Sequence, residues 1–300
     1  MDSDIAQHNA DQQAPQEAAG GMKSRQVGSL RDDPHHNSPD SQPRSLWDDE
    51  RLSDPHSQSD KAARVRQMFD DIAPTYERVN TLASAGRDRG WRRETVRLAE
   101  IKPADRVLDI ACGTGDLAES FARAGIERVV GIDFAGEMLL RSLGRVPHQA
   151  GWIQGDALRL PFADETFDIT CCAFGVRNFQ HLEAGLGEMH RVLRPGGRAV
   201  ILEFSMPTQP ILRGIYQFYF AKILPKLATW VSGDRTGAYN YLPSSVQTFV
   251  TPPQLIEILK KVGFSSARAI SRTCGIVHIV RADKATESRL PASGLGTCSL

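Results

Sequence analysis

Cysteine is scarce in this sequence, with five residues in a chain of 300. Their spacing matches no zinc-binding pattern, so no metal site is predicted. An odd number of cysteines without a secretory signal predicts reduced thiols in a cytoplasmic protein. Two of them, Cys171 and Cys172, lie in an apolar run and are expected to pack in the core.

Long apolar runs and an excess of charge are also absent. No run reaches the roughly 18 apolar residues that a membrane-spanning helix needs. The formal net charge is zero, which does not favour nucleic acid as a partner. The charge is unevenly distributed, because residues 1–60 hold twelve acidic and five basic residues. The mildly basic remainder suits either an anionic membrane surface or an ordinary solvated surface.

The two ends of the chain differ in composition from its middle. Residues 1–60 are rich in Asp, Ser, Gln, His and Pro and poor in large apolar side chains. We therefore expect a disordered acidic and polar extension there, and a second disordered tail at residues 285–300. One folded domain is predicted over residues 61–284.

Strand and helix patterns alternate through the predicted domain. Short apolar runs predict strands at residues 106–111, 128–132, 151–154, 167–174, 197–204, 265–271 and 275–282. Apolar residues at helical spacing predict helices at residues 62–76, 115–124, 136–144, 182–193 and 252–262. Such alternation predicts an α/β fold with a mostly parallel sheet and helices on both of its faces.

The most informative stretch is residues 107–116, which reads Val-Leu-Asp-Ile-Ala-Cys-Gly-Thr-Gly-Asp. A strand, a glycine-rich turn and a helix in this order are typical of a nucleotide-type cofactor site. Gly113 and Gly115 can adopt the positive φ that lets the backbone approach a ligand, and Asp109 can accept hydrogen bonds from it. The loop is similar to the S-adenosylmethionine loop of Rossmann-like methyltransferases, with Ala111 where that loop often has its first glycine.

Acidic residues follow the next two predicted strands. Asp133 lies about 20 residues after the loop, where a carboxylate can accept hydrogen bonds from both ribose hydroxyls. Asp156 and Ala157 follow the third strand, where the carboxylate can bind the exocyclic amine of adenine and the next N–H can donate to the ring. Asp133 taken alone could simply cap the following helix. The three elements in this order predict S-adenosyl-L-methionine as the cofactor.

Further motifs lie outside the cofactor elements. They are Met-Phe-Asp-Asp-Ile-Ala-Pro-Thr-Tyr-Glu-Arg-Val-Asn at residues 68–80, a segment ending in Trp-Arg-Arg at 82–93, Phe-Gly-Val-Arg-Asn at 174–178, Leu-Glu-Phe-Ser at 202–205 and Tyr-Leu-Pro-Ser-Ser-Val at 241–246. Together they resemble the ubiquinone/menaquinone biosynthesis C-methyltransferases. The resemblance covers roughly residues 62–284 and implies the Rossmann-like fold of class I S-adenosylmethionine-dependent methyltransferases, with a seven-stranded sheet.

The resemblance also implies an activity, the ring C-methylation of a polyprenylated quinol. We expect demethylmenaquinol as the substrate, converted to menaquinol. A 2-methoxy-6-polyprenyl-benzoquinol of ubiquinone synthesis is one alternative, and another lipid such as a sterol or a phospholipid amine is a second. A non-catalytic assembly or lipid-carrier subunit that keeps the fold is an alternative of a different class.

Particular residues are implicated by the resemblance. It implies cofactor contacts at Thr114, Asp133, Asp156 and Ala157, whereas a serine contact of the family is lost because this chain has Ala173. It also implicates three residues at the substrate ring, namely Tyr76, Arg177 and Asn178.

The roles of these three residues follow from their chemistry. An arginine with a pKa above ~12 is a poor base, so Arg177 is expected to stabilise the developing phenolate. It could instead orient a water, with Asn178, that removes the proton. Tyr76 could hydrogen-bond a quinol oxygen or stack on the ring. Capping of a strand end is the structural alternative for Arg177 and Asn178.

Residues 207–250 do not fit the alternation of strands and helices. Aliphatic and aromatic side chains surround much of a predicted helix there, interrupted by Lys222, Pro225 and Lys226. A fully buried helix is one interpretation, and a lid, an apolar substrate wall or a membrane-contacting surface is the other. A polyprenylated substrate would give this insert a reason, so we expect peripheral contact with lipid at the inner face of the membrane. A homodimer is left open.

Overall fold

Seven strands form one sheet in the computed structural model, which describes residues 46–143, 145, 150–233 and 238–286. They are β1 (Arg106–Ile110), β2 (Arg128–Asp133), β3 (Ala150–Gln154), β4 (Phe167–Ala173), β5 (Leu193–Phe204), β6 (Ser266–Arg272) and β7 (Val277–Asp283). Their order is β3-β2-β1-β4-β5-β7-β6, and β7 runs antiparallel to both of its neighbours. The predicted α/β class, with a mostly parallel sheet, is confirmed.

Helices precede and separate these strands in the described part of the chain. They are α1 (Asp49–Ser53), α2 (Lys61–Ile72), α3 (Tyr76–Ala83), α4 (Asp88–Leu98), α5 (Asp116–Arg123), α6 (Gly136–Ser142), α7 (Leu182–Arg191), α8 (Pro210–Phe218), α9 (Leu224–Ser232), α10 (Ala238–Thr248) and α11 (Pro252–Lys261). The helix predicted over residues 62–76 ends at Ile72. Pro74 lacks the N–H that would continue the helix and disfavours helical backbone before it, so Tyr76 begins a new one.

Both faces of the sheet are covered by apolar packing. On one face α7 and α11 bury side chains such as Leu186 and Leu259 against the strands, and on the other α5 buries Phe121. Cys171 and Cys172 are completely buried in β4, as predicted. Strands that are buried on both faces carry continuous apolar runs, which is why the sequence pattern identified them.

The parallel strands end at one edge of the sheet. Neighbouring strands are paired in register, with Ile110 opposite Ile132 and Asp133 opposite Gln154. Their carboxyl ends, and the loops that follow them, are therefore adjacent. Ligands of open α/β sheets bind outside this edge.

The ordered structure begins before the predicted boundary at residue 61. Trp47 is buried and stacks on Tyr241, with 4.2 Å between the ring centroids, and α1 follows it. The expected disorder is therefore corrected for residues 46–60. Their composition is polar, but one buried indole contributes a large apolar contact area. Residues 1–45 and 287–300, which complete the two predicted tails, lie outside the described residues.

The apolar insert forms α8, a π-helical turn at Tyr219–Ile223, α9 and α10. It is two-faced, so a fully buried helix is the wrong interpretation. Its inward side chains include Tyr216, Phe220 and Leu224. Its exposed apolar side chains are Ile211, Leu212, Ile215, Phe218, Ile223 and Trp230. None of the helices in the described residues is long and apolar enough to cross a membrane.

Candidate functional site

The glycine-rich loop joins β1 to α5 through left-handed backbone. Gly113 and Gly115 have φ of 55° and 86°, and a Cβ at Gly115 would lie 2.7 Å from the Trp152 ring. Ala111 also has a positive φ, of 53°. Glycine adopts this conformation more readily than alanine. An alanine at position 111, where the methyltransferase loop often has its first glycine, therefore introduces local strain.

Asp133 braces the loop from the end of β2. Its carboxylate accepts hydrogen bonds from the backbone N–H of Gly113 at 2.8 Å and of Ala135 at 2.9 Å. Burial raises the pKa of Asp133 to about 6, although these hydrogen bonds oppose the rise. The residue lines a narrow crevice at the edge of the sheet, and each carboxylate oxygen has a second lone pair for a hydroxyl donor.

Asp109 has a structural role that its sequence position did not show. It is buried, and its Oδ2 accepts a hydrogen bond from the Ala118 N–H at 3.0 Å, within the first turn of α5. Burial raises the pKa of Asp109 to about 7. The residue also borders the pocket beside the loop, so its predicted contact with a ligand stays a prediction.

Three other predicted cofactor residues, Asp156, Ala157 and Thr114, border the same two pockets. Asp156 and Ala157 line the crevice with Asp133 and Gly113, and Asp156 accepts a hydrogen bond from the Leu158 N–H at 2.9 Å. Thr114 is buried, and its carbonyl and hydroxyl oxygens receive the Arg145 guanidinium at 2.9 and 3.2 Å. The structure thus brings all seven predicted cofactor residues to one edge of the sheet.

An apolar cavity of about 440 Å³ adjoins the crevice. Its walls come from α2, α3, α4, the ends of β4 and β5, and the insert. Three residues, Phe69, Tyr76 and Phe174, line both the cavity and the crevice. A ligand in the crevice and a ligand in the cavity would therefore meet at these side chains.

Tyr76 lies at this junction, at the first residue of α3. Burial raises the pKa of its phenol, and a hydrogen bond with the Asn80 side chain and the charges of Arg92 and Arg177 oppose that rise. The phenol therefore stays protonated at neutral pH. It can donate a hydrogen bond to an oxygen at the point where the two pockets meet.

Arg177 lies in a 3₁₀ turn directly after β4 and is 5% exposed. Its Nη1 donates to Glu203 Oε1 at 2.9 Å and also to the Phe174 carbonyl. Burial opposes its charge, but Glu203 and the nearby phenols raise its pKa above the ordinary value. Its Nε is buried without a hydrogen-bond partner in the described part of the chain. The cavity therefore contains a permanent cation with one donor available to a ligand.

Asn178 uses both ends of its amide within the protein. Its Oδ1 accepts from the Tyr241 hydroxyl at 2.9 Å, and its Nδ2 donates to the Phe174 carbonyl at 3.4 Å. It lines the crevice on the cofactor side. The structure thus gives Asn178 a part in holding the turn, and its predicted contact with the substrate ring stays a prediction.

Lys61 supports the same turn, a role that the sequence did not predict. It is 2% exposed, and its ammonium donates to the carbonyls of Arg177 at 2.9 Å and Phe179 at 2.7 Å. The ammonium also lies 3.1 Å from His56 Nδ1. Burial lowers the pKa of Lys61 to about 8. No local sequence signal separates this lysine from a solvated one.

Arg92, in α4, is a second buried guanidinium beside the pockets. It forms ion pairs with Asp88 at 2.6 Å and with Asp116 at 3.0 Å. Arg92 lies in the Trp-Arg-Arg motif, but the motif alone indicates no role for it. Only the fold brings α4 against the glycine-rich loop.

Known proteins match this chain over most of the described fold. The model of the ubiE/COQ5 methyltransferase family matches residues 57–284. A demethylmenaquinone methyltransferase of Deinococcus radiodurans is 43% identical over 229 residues, which cover 75% of this chain and 94% of the relative. A ubiquinone/menaquinone biosynthesis C-methyltransferase UbiE of Geobacter sp. strain M21 is also 43% identical, over 74% of this chain and 96% of the relative.

A solved structure shares the fold at low identity. It is described as an S-adenosyl-L-methionine-dependent methyltransferase from Methanococcus maripaludis, and it gives a TM-score of 0.53 at 16% identity, covering 74% of this chain and 96% of that chain. The fold is thus that of such enzymes, and the family match confirms the predicted enzyme class and its cofactor, S-adenosylmethionine. The chain belongs to the ubiE/COQ5 methyltransferase family.

Proposed function

We propose that this enzyme methylates a ring carbon of a polyprenylated quinol, and that its substrate is demethylmenaquinol. One observation carries the proposal. An apolar, largely aromatic cavity adjoins the cofactor crevice and holds a buried guanidinium, Arg177, with a donor available to a ligand. A quinol has an apolar ring and tail with oxygens on the ring, and this combination matches the cavity.

Bound S-adenosylmethionine supplies an electrophilic methyl group. The protein's part is to align a nucleophilic ring carbon with that methyl group and to exclude water. Phe69, Tyr76 and Phe174 border both pockets, so they set the ring against the cofactor. The apolar walls exclude water and accommodate the adjoining prenyl units.

Arg177 makes the ring carbon nucleophilic. Its Nε–H donates to a quinol oxygen, and its charge stabilises the phenolate that develops as the hydroxyl proton leaves. Glu203 holds the guanidinium in place, and the raised pKa of Arg177 keeps it charged. The hydroxyl proton therefore leaves for another acceptor, such as a water molecule. After the ring carbon has taken the methyl group, it loses its own hydrogen as a proton and the phenolate oxygen is protonated again, which restores the aromatic quinol. Tyr76 donates to the same oxygen from the cofactor side.

Demethylmenaquinol is favoured over a benzoquinol by the relatives. The Deinococcus protein and a 42% identical relative from Streptomyces avermitilis are both named demethylmenaquinone methyltransferase. The name of the Geobacter relative includes both quinones. A benzoquinol of ubiquinone synthesis is therefore the second candidate.

Turnover of matched substrates tests the proposal. Purified protein is given S-adenosylmethionine with either demethylmenaquinol or 2-methoxy-6-polyprenyl-benzoquinol carrying the same tail, and the methylated ring is identified by mass spectrometry. We expect preferential methylation of the naphthoquinol. Preference for the benzoquinol would move the substrate to the second candidate. A sterol and a phospholipid amine are tested in the same assay, and methylation of either of them, with neither quinol used, would overturn the proposal.

We also propose that the enzyme is cytoplasmic and acts at the surface of the inner membrane leaflet. Ile215 and Phe218 are 61% and 62% exposed on α8, while Tyr216 of the same helix lines the cavity. Exposed Lys222 and Lys226 follow, and cations beside an apolar stripe favour anionic lipid headgroups. A prenyl tail could therefore pass from the bilayer along α8 to the cavity.

Binding to vesicles tests this contact. Phe218→Glu should reduce co-sedimentation with vesicles containing an anionic phospholipid, because it places a negative charge within the apolar stripe. Methylation of a short-chain, water-soluble quinol should be unchanged. Leu140→Glu is the matched control, since Leu140 is 60% exposed on α6, outside the insert. Equal vesicle binding by both variants and the native protein would refute the membrane contact.

A further inference from the structure

Arg92 is a buried cation with an unused donor. It is 5% exposed, and its Nη1 and Nη2 are paired with Asp88 and Asp116. Its Nε has no hydrogen-bond partner among the residues that the structure describes. A buried charged N–H without a partner is costly. The orphaned Nε–H therefore indicates a ligand that supplies an acceptor.

The position of Arg92 indicates which ligand this is. The sheet order places Asp156 after β3, Asp133 after β2 and the glycine-rich loop after β1. With adenine at Asp156 and ribose at Asp133, the amino-acid end of the cofactor continues along the loop. Arg92 lines the pocket at this end, together with Tyr76, Thr114 and other loop residues. Its partner Asp116 is the residue that directly follows the loop.

The charges in this pocket also match an amino acid. The methionine portion of the cofactor carries an ammonium and a carboxylate on the same carbon. Arg92 offers a donor to the carboxylate, while Asp116 places a negative charge beside the same pocket. A ligand group that carries both a positive and a negative charge suits a pocket lined by both kinds of charge better than a simple anion does.

We propose that Arg92 binds the carboxylate of the methionine portion of S-adenosylmethionine through its Nε–H, and that Asp88 and Asp116 hold the guanidinium in position. The proposal concerns only the cofactor and is independent of which quinol is methylated. The two guanidinium N–H groups that lack a partner in the described residues, Arg92 Nε and Arg177 Nε, then each have a different ligand. Arg92 serves the cofactor at the loop, and Arg177 serves the quinol in the cavity.

A quinol oxygen is the competing ligand for Arg92. The guanidinium also borders the apolar cavity, with its Cζ 5.7 Å from the centroid of the Phe174 ring. The ion pair with Asp116 favours the cofactor, because it fixes Arg92 to the loop rather than to the cavity wall. Ligands with and without the carboxylate distinguish these two assignments.

Calorimetric binding to two matched ligands tests the proposal, and KM for the quinol is measured beside it to test the competing assignment. S-adenosylhomocysteine and its decarboxylated form differ only by the carboxylate. Native protein should bind S-adenosylhomocysteine at least tenfold more tightly than the decarboxylated form. Arg92→Gln should lose most of that difference, by weakening the binding of S-adenosylhomocysteine alone. Arg93→Gln, an exposed neighbour on α4, should retain the full difference.

Other results would overturn the proposal. If Arg92→Gln weakened both ligands equally, Arg92 would only support the fold of the loop. If neither ligand were affected while KM for the quinol rose, the competing assignment would hold. Arg92→Lys guards against misfolding, because it keeps the charge between Asp88 and Asp116. It should fold and retain only part of the preference for the carboxylate, because lysine lacks the Nε–H donor. Retention of the full native preference would also count against the Nε–H contact.

Discussion

The Lys61 ammonium donates a hydrogen bond to the backbone carbonyl of Arg177 over 2.9 Å, although the two residues are 116 positions apart. A second bond reaches the Phe179 carbonyl, and His56 Nδ1 lies beside the same ammonium. His56 in turn contacts the Ser245 carbonyl at 2.9 Å through Nε2. The turn that contains Arg177 is therefore held in place by Lys61 and His56, which line neither the cavity nor the crevice.

Removal of the Lys61 hydrogen bonds should reduce both the stability of the protein and its turnover. Lys61→Met keeps an unbranched apolar side chain but leaves two carbonyls without their charged donor, which should cost about 2–4 kcal/mol of unfolding free energy. The loosened turn should lower kcat with the quinol by at least tenfold. Binding of S-adenosylhomocysteine should weaken by no more than about threefold, because the turn forms only one wall of the crevice and the glycine-rich loop and the strand ends form the rest.

Denaturant unfolding, steady-state kinetics and calorimetry measure these three effects. Arg66→Met is the matched control on α2, since the Arg66 side chain is 54% exposed, and it should leave all three quantities close to the native values. Native-like kcat in Lys61→Met would show that the turn keeps its geometry without the ammonium.

Arg177→Lys should separate charge from geometry in the substrate cavity. A lysine can still neutralise Glu203, so the buried carboxylate is not left unpaired. Lysine lacks the planar set of N–H donors with which arginine can bind Glu203 and a quinol oxygen at the same time. We expect kcat to fall on the order of 10²-fold, with binding of S-adenosylhomocysteine unchanged by calorimetry. Retention of full turnover would show that the Arg177 guanidinium does not stabilise the phenolate.

The sequence predicted the features whose signal is local. Strands buried on both faces carry apolar runs, and the loop with Gly113 and Gly115 has its own signature, so the sheet and the cofactor edge were found. Tyr76 and Arg177 were reached only through the family resemblance. The start of the ordered structure was missed, because a single residue, Trp47, anchors a polar segment.

Lys61 and Arg92 show why the remainder of the site could not be predicted. Each lies on an amphipathic helix, where an isolated basic residue is normally solvated. Their burial results from contacts with residues more than 20 positions away, such as the Arg177 carbonyl in the turn after β4 and Asp116 at the start of α5. Long-range packing of this kind leaves no periodic or compositional trace.

Gly175 and Ala111 form a close contact between the substrate turn and the cofactor loop. A Cβ at Gly175 would lie 2.7 Å from the Ala111 Cβ and 2.6 Å from Cys172 Sγ. Gly175→Ala should therefore lower the unfolding free energy by about 1–3 kcal/mol through overpacking.

A double variant tests the cause of that loss. Ala111→Gly removes one of the two clashing groups and relieves a left-handed backbone, so it should recover at least ~0.5 kcal/mol in combination with Gly175→Ala. The four unfolding free energies of the cycle measure the coupling. Strict additivity would mean that Cys172 alone causes the clash.

The pH dependence of cofactor binding should report the ionisation of Asp133. Burial raises the pKa of this carboxyl to about 6, so it is mainly ionised, and able to accept from ribose hydroxyls as predicted, only above that pH. Affinity for S-adenosylhomocysteine should therefore be constant near pH 8. Below pH 6 it should fall by up to roughly tenfold per pH unit.

The same ionisation acts on the stability of the ligand-free protein in the opposite direction. Because the folded pKa of Asp133 lies above its unfolded value, its stabilising contribution is complete below the unfolded pKa and is lost as the pH rises through about 6. Acidification thus weakens cofactor binding over a range in which Asp133 itself favours folding. A loss of affinity at acidic pH therefore cannot be attributed to unfolding caused by Asp133. It reports the loss of the Asp133 carboxylate as a hydrogen-bond acceptor.

Calorimetric titrations between pH 5 and pH 8 measure the profile. Asp156→Asn is the matched control, because it removes charge from the adenine end of the crevice while Asp133 and its bonds to Gly113 and Ala135 are retained. That variant should bind more weakly at every pH and keep the midpoint near 6. A profile that is flat from pH 5 to pH 8 in the native protein would show that the ionised Asp133 carboxylate is not an acceptor for the cofactor.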